Sequence, residues 1–544
     1  MVDAAGTNTK KTFLSGVLLL ALSTVSVKII GLVYKIPMLS YLGSEGMGYF
    51  NSAYEIYALF CVIATAGLPV ALSVMISGAL AKGEHAVVRR IYRAAMLVFV
   101  LVGLSGSVIM LVFAGRFCDM IRSENAYLCI LSISPTVLLV CVSSALRGYF
   151  QGYQRMLPTA LSQLIEAIGK LVFGLFLASY ALQKGYDTPT VAAFAGLGLT
   201  LGTALSLLYL LIEKWRLREK EARTDVSVSD ERYRSIWKGL FRLAVPMTLG
   251  ASLVSLTKLI DMTMILRRLQ SIGYTEVMAN KAYGSYTTLA LSVYGLIPTL
   301  VNSIALPLVP MLSAAIACGD RARQEEMVRA SYRLTSLFAI PASLGVAAYA
   351  RPILNLLFSH EPEAVSVAAP LLSYLGVSVF LSCMITATNS VLHAYQAVKK
   401  PVLSMLAGAA LKIVSAYFLI GNPDVALTGA PISTFLCNAA VVLLNLYFAS
   451  KLCQFHDLRG SFAMPLLSAT LSVASSYGIY YLLTDHVGES ALTTGLAIAS
   501  AMLLYLIFSL LLGVINEEDF RTLPQGEKIC AYIHSKKQKN KTEE

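Results

Sequence analysis

Four lysines lie well inside long apolar segments of this sequence: Lys28, Lys170, Lys258 and Lys412. An ionised ammonium at bilayer depth is costly, so it faces a counter-charge, an anion or a water-filled cavity instead of lipid. Lys35 follows Lys28 by seven residues, which sets both on one helical face with Gly31 between them. Lys35 lies near the outer end of its segment, where it has the option of snorkelling to the interface, and Glu55 in the next segment is placed to neutralise it. Gln163, Glu166 and Lys170 recur at i, i+3 and i+7 and form one polar stripe, with Glu166 four residues ahead of Lys170 in the favourable order for a helical ion pair. Two readings stand for that pair: an internal bridge between helices, or a cavity wall whose charges exchange with a substrate or coupling ion. Lys258 and Asp261 are three apart and admit the same pairing, while Asp261 is also a candidate cation or proton site. Lys412 has no acid within one turn on its own segment, so its counter-charge must come from another helix or a ligand. Asn302, and the set Thr386, Asn389 and His393 on one face, are weaker candidates, because such residues often only join neighbouring helices. Basic groups gathered at membrane depth point to a cationic cavity and to the handling of an anion.

The elements that must position these residues are membrane helices. Of 544 residues, 56% are hydrophobic and 14% charged, with a mean hydropathy of +0.68; soluble domains carry roughly 25% charged residues. About fourteen apolar segments are long enough to cross a hydrocarbon core, near 12–36, 52–77, 94–114, 127–149, 159–180, 190–212, 239–265, 284–312, 334–350, 366–394, 402–420, 426–450, 463–484 and 491–515. Without water to satisfy the backbone, such segments must be helical. Lys10 and Lys11 precede an apolar run that continues past Ser26 without a convincing cleavage site, so it reads as the first helix and not as a signal peptide. If the N-terminus is cytoplasmic, about 30 of the 43 Lys and Arg fall on the inside and about 7 outside, an asymmetry that favours both termini in the cytoplasm. Arg267, Arg268 and Lys281 are the dissenting outer cluster. The net charge of +12 is then mostly topology, with help from anionic lipid heads, and calls for no nucleic acid.

The longest hydrophilic connection, 213–237, divides six spans from the next six. An even number of spans before it makes any internal repeat parallel. VKIIG at 27–31 echoes TKLID at 257–261, and FQGYQRMLP before Lys170 echoes AYQAVKKP before Lys412. The expected organisation is an N-lobe at 1–212, a linker at 213–237, a C-lobe at 238–450 related by a parallel pseudo-two-fold, two additional helices at 451–515 and a basic cytoplasmic tail at 516–544. Pro69, Pro298, Pro307 and Pro310 punctuate two spans and are candidate kinks. The nine cysteines form no metal-binding spacing; Cys118 and Cys129 fall near the outer face, where unpaired apolar residues are the preferred reading over a disulfide. No GxxxxGK[ST] loop occurs, which argues against direct use of ATP. Short outer loops leave no room for an extracytoplasmic catalytic domain and argue against a membrane-embedded glycosyltransferase.

The stretch KIIGLVYKIPMLSYLGSEGMGYFNSAYEIY from Lys28 resembles the opening of bacterial polysaccharide transporters of the stage V sporulation protein B type, within the superfamily that also holds lipid II flippases and multidrug antiporters. AGLPVALSVMIS at 66–77, RGYFQGYQRMLPTALSQLIE at 147–166 and LVPMLSAA at 308–315 extend the likeness over roughly 14–450. The resemblance implies an all-α membrane protein with two six-helix lobes around a central cavity, working by alternating access. It implies that an undecaprenyl-diphosphate-linked sugar (a cell-wall, spore-cortex or polysaccharide precursor) is the cargo, with Lys28 best placed to meet the diphosphate. The expectation is a transporter and no enzyme, without a cofactor, coupled to Na+, H+ or the membrane potential, with membrane lipids as neighbours and a monomer as the working form. Multidrug antiporters of the superfamily commonly carry an acid in the first helix, and this chain has none there. Cation-coupled drug export is therefore the alternative.

Overall fold

The computed structural model describes residues 3–221, 233–305, 308–453, 459–488 and 490–514. Among them there is no strand. Eleven helices are long and apolar enough to cross a membrane, or twelve if the pair Arg321–Ala348 and Ala350–Leu357, bent by 78°, is one span. Where they are described, the expected fourteen segments fall mainly on helix, yet this count does not establish fourteen crossings, for two physical reasons. The first two expected spans run into one helical stretch, and the eighth is broken into pieces too short to pass by themselves.

Packing divides the chain into two units, 1–292 with 416–430, and 293–415 with 431–544. In the first unit, α1 (Asp3–Thr65) turns sharply at Gly43, whose φ of 64° and ψ of 176° are open to glycine alone at little cost. The second expected span is the part of α1 after Gly43 continued by α2 (Leu68–Ala81). Pro69 does not kink a continuous helix there. It stands in the first turn of α2, where its missing N–H is not needed.

α3 (His85–Val112), the short α4 (Ala114–Ile121), α5 (Tyr127–Gly152), α6 (Met156–Gln183) and α7 (Thr188–Glu221) follow. α6 and α7 cross in backbone contact, because a Cβ on Gly202 would strike the backbone nitrogen of Lys170. Small residues of this kind let membrane helices approach closely, and here they fix the level of the polar stripe on α6. α8 (Tyr233–Ser271) packs against α1, α2 and α3. The packing boundary therefore lies beyond the charged connection, of which 213–221 and 233–237 are helical and 222–232 lie outside the described residues. α9 (Glu276–Ser285) leads into a π-turn at Tyr286–Ala290 and then α10 (Leu291–Ala305).

The second unit takes α10 from Val293 onward, then α11 (Leu308–Ala317), α12 (Arg321–Ala348), α13 (Ala350–Leu357), α14 (Pro362–Ala394) and α15 (Lys399–Ile420) as far as Ser415. α16 (Gly429–Ser450), α17 (Met464–Val487) and α18 (Ala491–Leu511) complete it. Pro298 lies inside α10, whereas Pro307 and the tail from 515 lie outside the described residues. Tyr332, Met384, Val391 and Leu392 are buried together where α12 meets α14. α17 and α18 pair through the Ser468 and Ser509 hydroxyls at 2.8 Å, and the Tyr505 hydroxyl donates to the Leu337 carbonyl on α12 at 2.8 Å. Such bonds hold membrane helices where no hydrophobic difference from lipid would.

Candidate functional site

Charged groups at bilayer depth collect in the first unit in two clusters. The first is Glu166 on α6. Its carboxylate accepts from Lys170 Nζ at 2.6 Å through Oε1 and from Arg147 Nη2 at 2.7 Å through Oε2. Arg147, on α5, also donates from Nε to Ser162 Oγ at 2.9 Å and from Nη2 to Ser206 Oγ at 3.2 Å. The three charged side chains are only 14%, 13% and 23% exposed for Arg147, Glu166 and Lys170, so the cluster lies largely inside the protein. The expected Glu166–Lys170 pair is present. Its second cation, Arg147, sits two residues inside the end of the expected fourth span, where a basic residue passes for an interfacial anchor. The signal available for it was an acid at matching depth on the next helix.

The second cluster lines α1 and α8. Lys28 and Lys258 are both exposed, and Lys28 lies within electrostatic reach of Lys258. Among the described residues neither ammonium has a salt bridge or a hydrogen bond. A Cβ on Gly31, one turn from Lys28, would meet nothing within 4 Å, so this face of α1 borders open space. Lys35, half-buried, lies within electrostatic reach of Lys28, Lys258 and Glu55. Glu55 acts on Lys35 and Lys258 and also feels Asp261, which is half-buried on α8. Neutralisation of Lys35 by Glu55 is thus through space; its ammonium donates instead to Ser292 Oγ at 2.9 Å and to the Thr287 carbonyl at 3.4 Å. Next to it Asn51 Nδ2 donates to Thr287 Oγ1 at 2.8 Å and Thr288 Oγ1 at 2.9 Å. Asn51, Thr287 and Ser292 carry no charge, and nothing in their spacing announces a π-turn, so sequence reasoning passes over them.

The remaining candidates belong to the second unit. Lys412 is half-buried on α15. Asn389 on α14 accepts from Asn445 Nδ2 at 2.8 Å, which joins α14 to α16 and gives it a structural role, while His393 is exposed. Asn302 falls in α10 with its side chain outside the described residues. Cys118 and Cys129 are both buried and unbridged, and no group of three or more metal-ligating side chains occurs among the described residues.

An all-α, multi-pass membrane protein that assembles cationic groups at bilayer depth belongs to the class of transporters. The polysaccharide biosynthesis protein family matches residues 13–316, more than half of this chain, and the chain belongs to that family. The MatE family matches residues 246–418. Stage V sporulation protein B of Bacillus subtilis (strain 168) is 24% identical over 520 residues, covering 95% of this chain and 98% of that protein. Lipid II flippase MurJ of the same organism is 24% identical over 535 residues, covering 94% and 97%. A solved structure of lipid II flippase MurJ in an inward closed conformation shares the fold at a TM-score of 0.66 and 16% identity, over 90% of this chain and 98% of that one. These likenesses identify a member of the multidrug, oligosaccharidyl-lipid and polysaccharide flippase superfamily related to the lipid II flippases, a transporter and not an enzyme.

Proposed function

We propose that this protein translocates an undecaprenyl-diphosphate-linked sugar, a precursor of cell wall, spore cortex or another polysaccharide, across the cytoplasmic membrane by alternating access. The observation that carries the reading is the exposed pair Lys28 and Lys258, two like charges within reach of each other on a face bordered by open space. Two ammonium groups within electrostatic reach of each other repel, and a diphosphate is the kind of ligand that turns this cost into binding through charge-assisted hydrogen bonds. Lysine supplies point charges without the bidentate fork of arginine, so recognition is by charge more than by planar geometry. The sugar would meet polar side chains, and the lipid tail would remain in the bilayer. Both termini are taken as cytoplasmic, the working form as a monomer, and the driving force as Na+, H+ or the membrane potential, with no cofactor.

Lys28→Ala or Lys258→Ala, reconstituted in proteoliposomes, is expected to abolish translocation of a fluorescent polyprenyl-diphosphate sugar while the protein remains folded. Normal translocation by both variants would overturn the reading. The MatE match over 246–418 makes cation-coupled drug export the competing reading. That activity calls for an acidic site, whereas residues 12–36 contain no acid and the acids of the cluster, Glu55 and Asp261, lie among lysines. Accumulation of a cationic drug by cells lacking the protein would favour it.

A further inference from the structure

Lys35 does something different from its neighbours. Its ammonium is joined to the π-turn at Tyr286–Ala290, whose register shift is visible where the Leu291 N–H donates to the Tyr286 carbonyl. The Thr287 carbonyl within that turn accepts from Lys35 Nζ at 3.4 Å and from Ser292 Oγ at 3.3 Å, and Lys35 Nζ also donates to Ser292 Oγ at 2.9 Å. Asn51, from the same helix as Lys35, grips the Thr287 and Thr288 hydroxyls. One ammonium and one amide on α1 thus hold a π-turn, a motif that costs regular hydrogen bonding and is frequent at functional sites. The same ammonium lies in the field of Glu55, which attracts it, and, more weakly, of Lys28 and Lys258, which repel it.

We infer that Lys35 is a positioning residue that couples anion binding at Lys28 and Lys258 to the register of the π-turn. The inference rests on the diphosphate reading above. With the anion absent, the Lys35 ammonium stays on the Thr287 carbonyl and the Ser292 hydroxyl. A seated diphosphate draws the ammonium to a phosphate oxygen, where a bond between two charged groups outweighs bonds to a neutral carbonyl and a neutral hydroxyl. The turn then keeps only Asn51 and Ser292. Resolving a π-turn by one residue rotates the following helix by about 100° and shifts it by about 1.5 Å. That following helix is α10, along which the chain passes from the first packing unit into the second at Val293. Substrate occupancy would thereby be passed along the covalent chain.

The test uses the full chain in lipid nanodiscs, with farnesyl diphosphate as the probe and amide hydrogen exchange of residues 286–292 as the readout. In the unaltered protein the probe should raise exchange there by about tenfold, the effect of losing one hydrogen bond to a charged group. Lys35→Met should show the raised exchange without the probe, and the probe should add nothing. Lys35→Arg should restore the response, and Ser292→Ala, a gentler change, should raise probe-free exchange by less than Lys35→Met. Probe-free exchange in Lys35→Met equal to that of the unaltered protein would overturn the inference, as would a full probe response in that variant. If farnesyl diphosphate binds Lys28→Met as well as it binds the unaltered protein, the diphosphate reading fails instead, and the probe-free exchange still decides whether Lys35 holds the turn.

Discussion

The two cationic clusters of the first unit hold similar residues at similar cost and resolve it in opposite ways. Glu166 places one carboxylate between Arg147 and Lys170, with Ser162 and Ser206 taking further donors, so the cluster meets its charge inside the protein. Lys28 and Lys258 lie within electrostatic reach of each other beside open space, with no salt bridge and only Glu55 acting on Lys258 through space. A charge bridged internally adds structure, whereas one without a bridge at membrane depth is held ready for something that comes and goes. Depth in the membrane therefore does not separate structural from functional lysines. The neighbouring helix does.

The largest effect expected from breaking this contrast is on folding. Glu166→Ala leaves Arg147 and Lys170 as uncompensated buried cations and should lower stability by about 3–5 kcal/mol, seen as a steep fall in the detergent melting temperature; adding Lys170→Met should recover part of it. Lys28→Met, by contrast, should leave the melting temperature unchanged or raise it, since it removes a repulsion. Loss of stability equal to that of Glu166→Ala would mean that the two clusters do the same job. Smaller again is the interhelical amide bond of the second unit: Asn445→Ala removes donors to Asn389 and Thr388, at about 1 kcal/mol for a membrane hydrogen bond, measurable as a modest melting shift with transport retained. Smallest is a chemical contrast outside the spans. Burial pushes the Cys118 thiol up to about 11. Only the thiolate is nucleophilic, so maleimide labelling of Cys118 should be negligible at neutral pH and grow only as pH climbs towards that value.

Helical class and the broad run of spans were legible because apolar stretches of membrane length leave the backbone no other choice. The breaks were not. Gly43 ends the first span through a single dihedral, and to hydropathy it is one more small residue in an apolar stretch. The π-turn at Tyr286–Ala290 depends on partners in α1 far away in sequence. Of the site, the lysines announced themselves by cost, and Glu166 with Lys170 by helical spacing. Arg147 escaped because its partner lies on the next helix, and no single-helix periodicity reports such a pairing. Lys28 and Lys258, first noticed as echoes of each other, lie within electrostatic reach of each other in one packing unit, which sequence similarity by itself does not require.

The claim that α1 and α8 present an anion site is tested most directly by binding farnesyl diphosphate to the protein in nanodiscs, with and without Lys28→Met and Lys258→Met together. Each lysine supplies a hydrogen bond to a charged ligand worth about 1.5–3 kcal/mol. The double variant should therefore lose about a hundredfold or more in affinity at an unchanged melting temperature, and binding by the unaltered protein should weaken as salt is raised. Equal affinity in both proteins, or affinity insensitive to salt, would contradict the account.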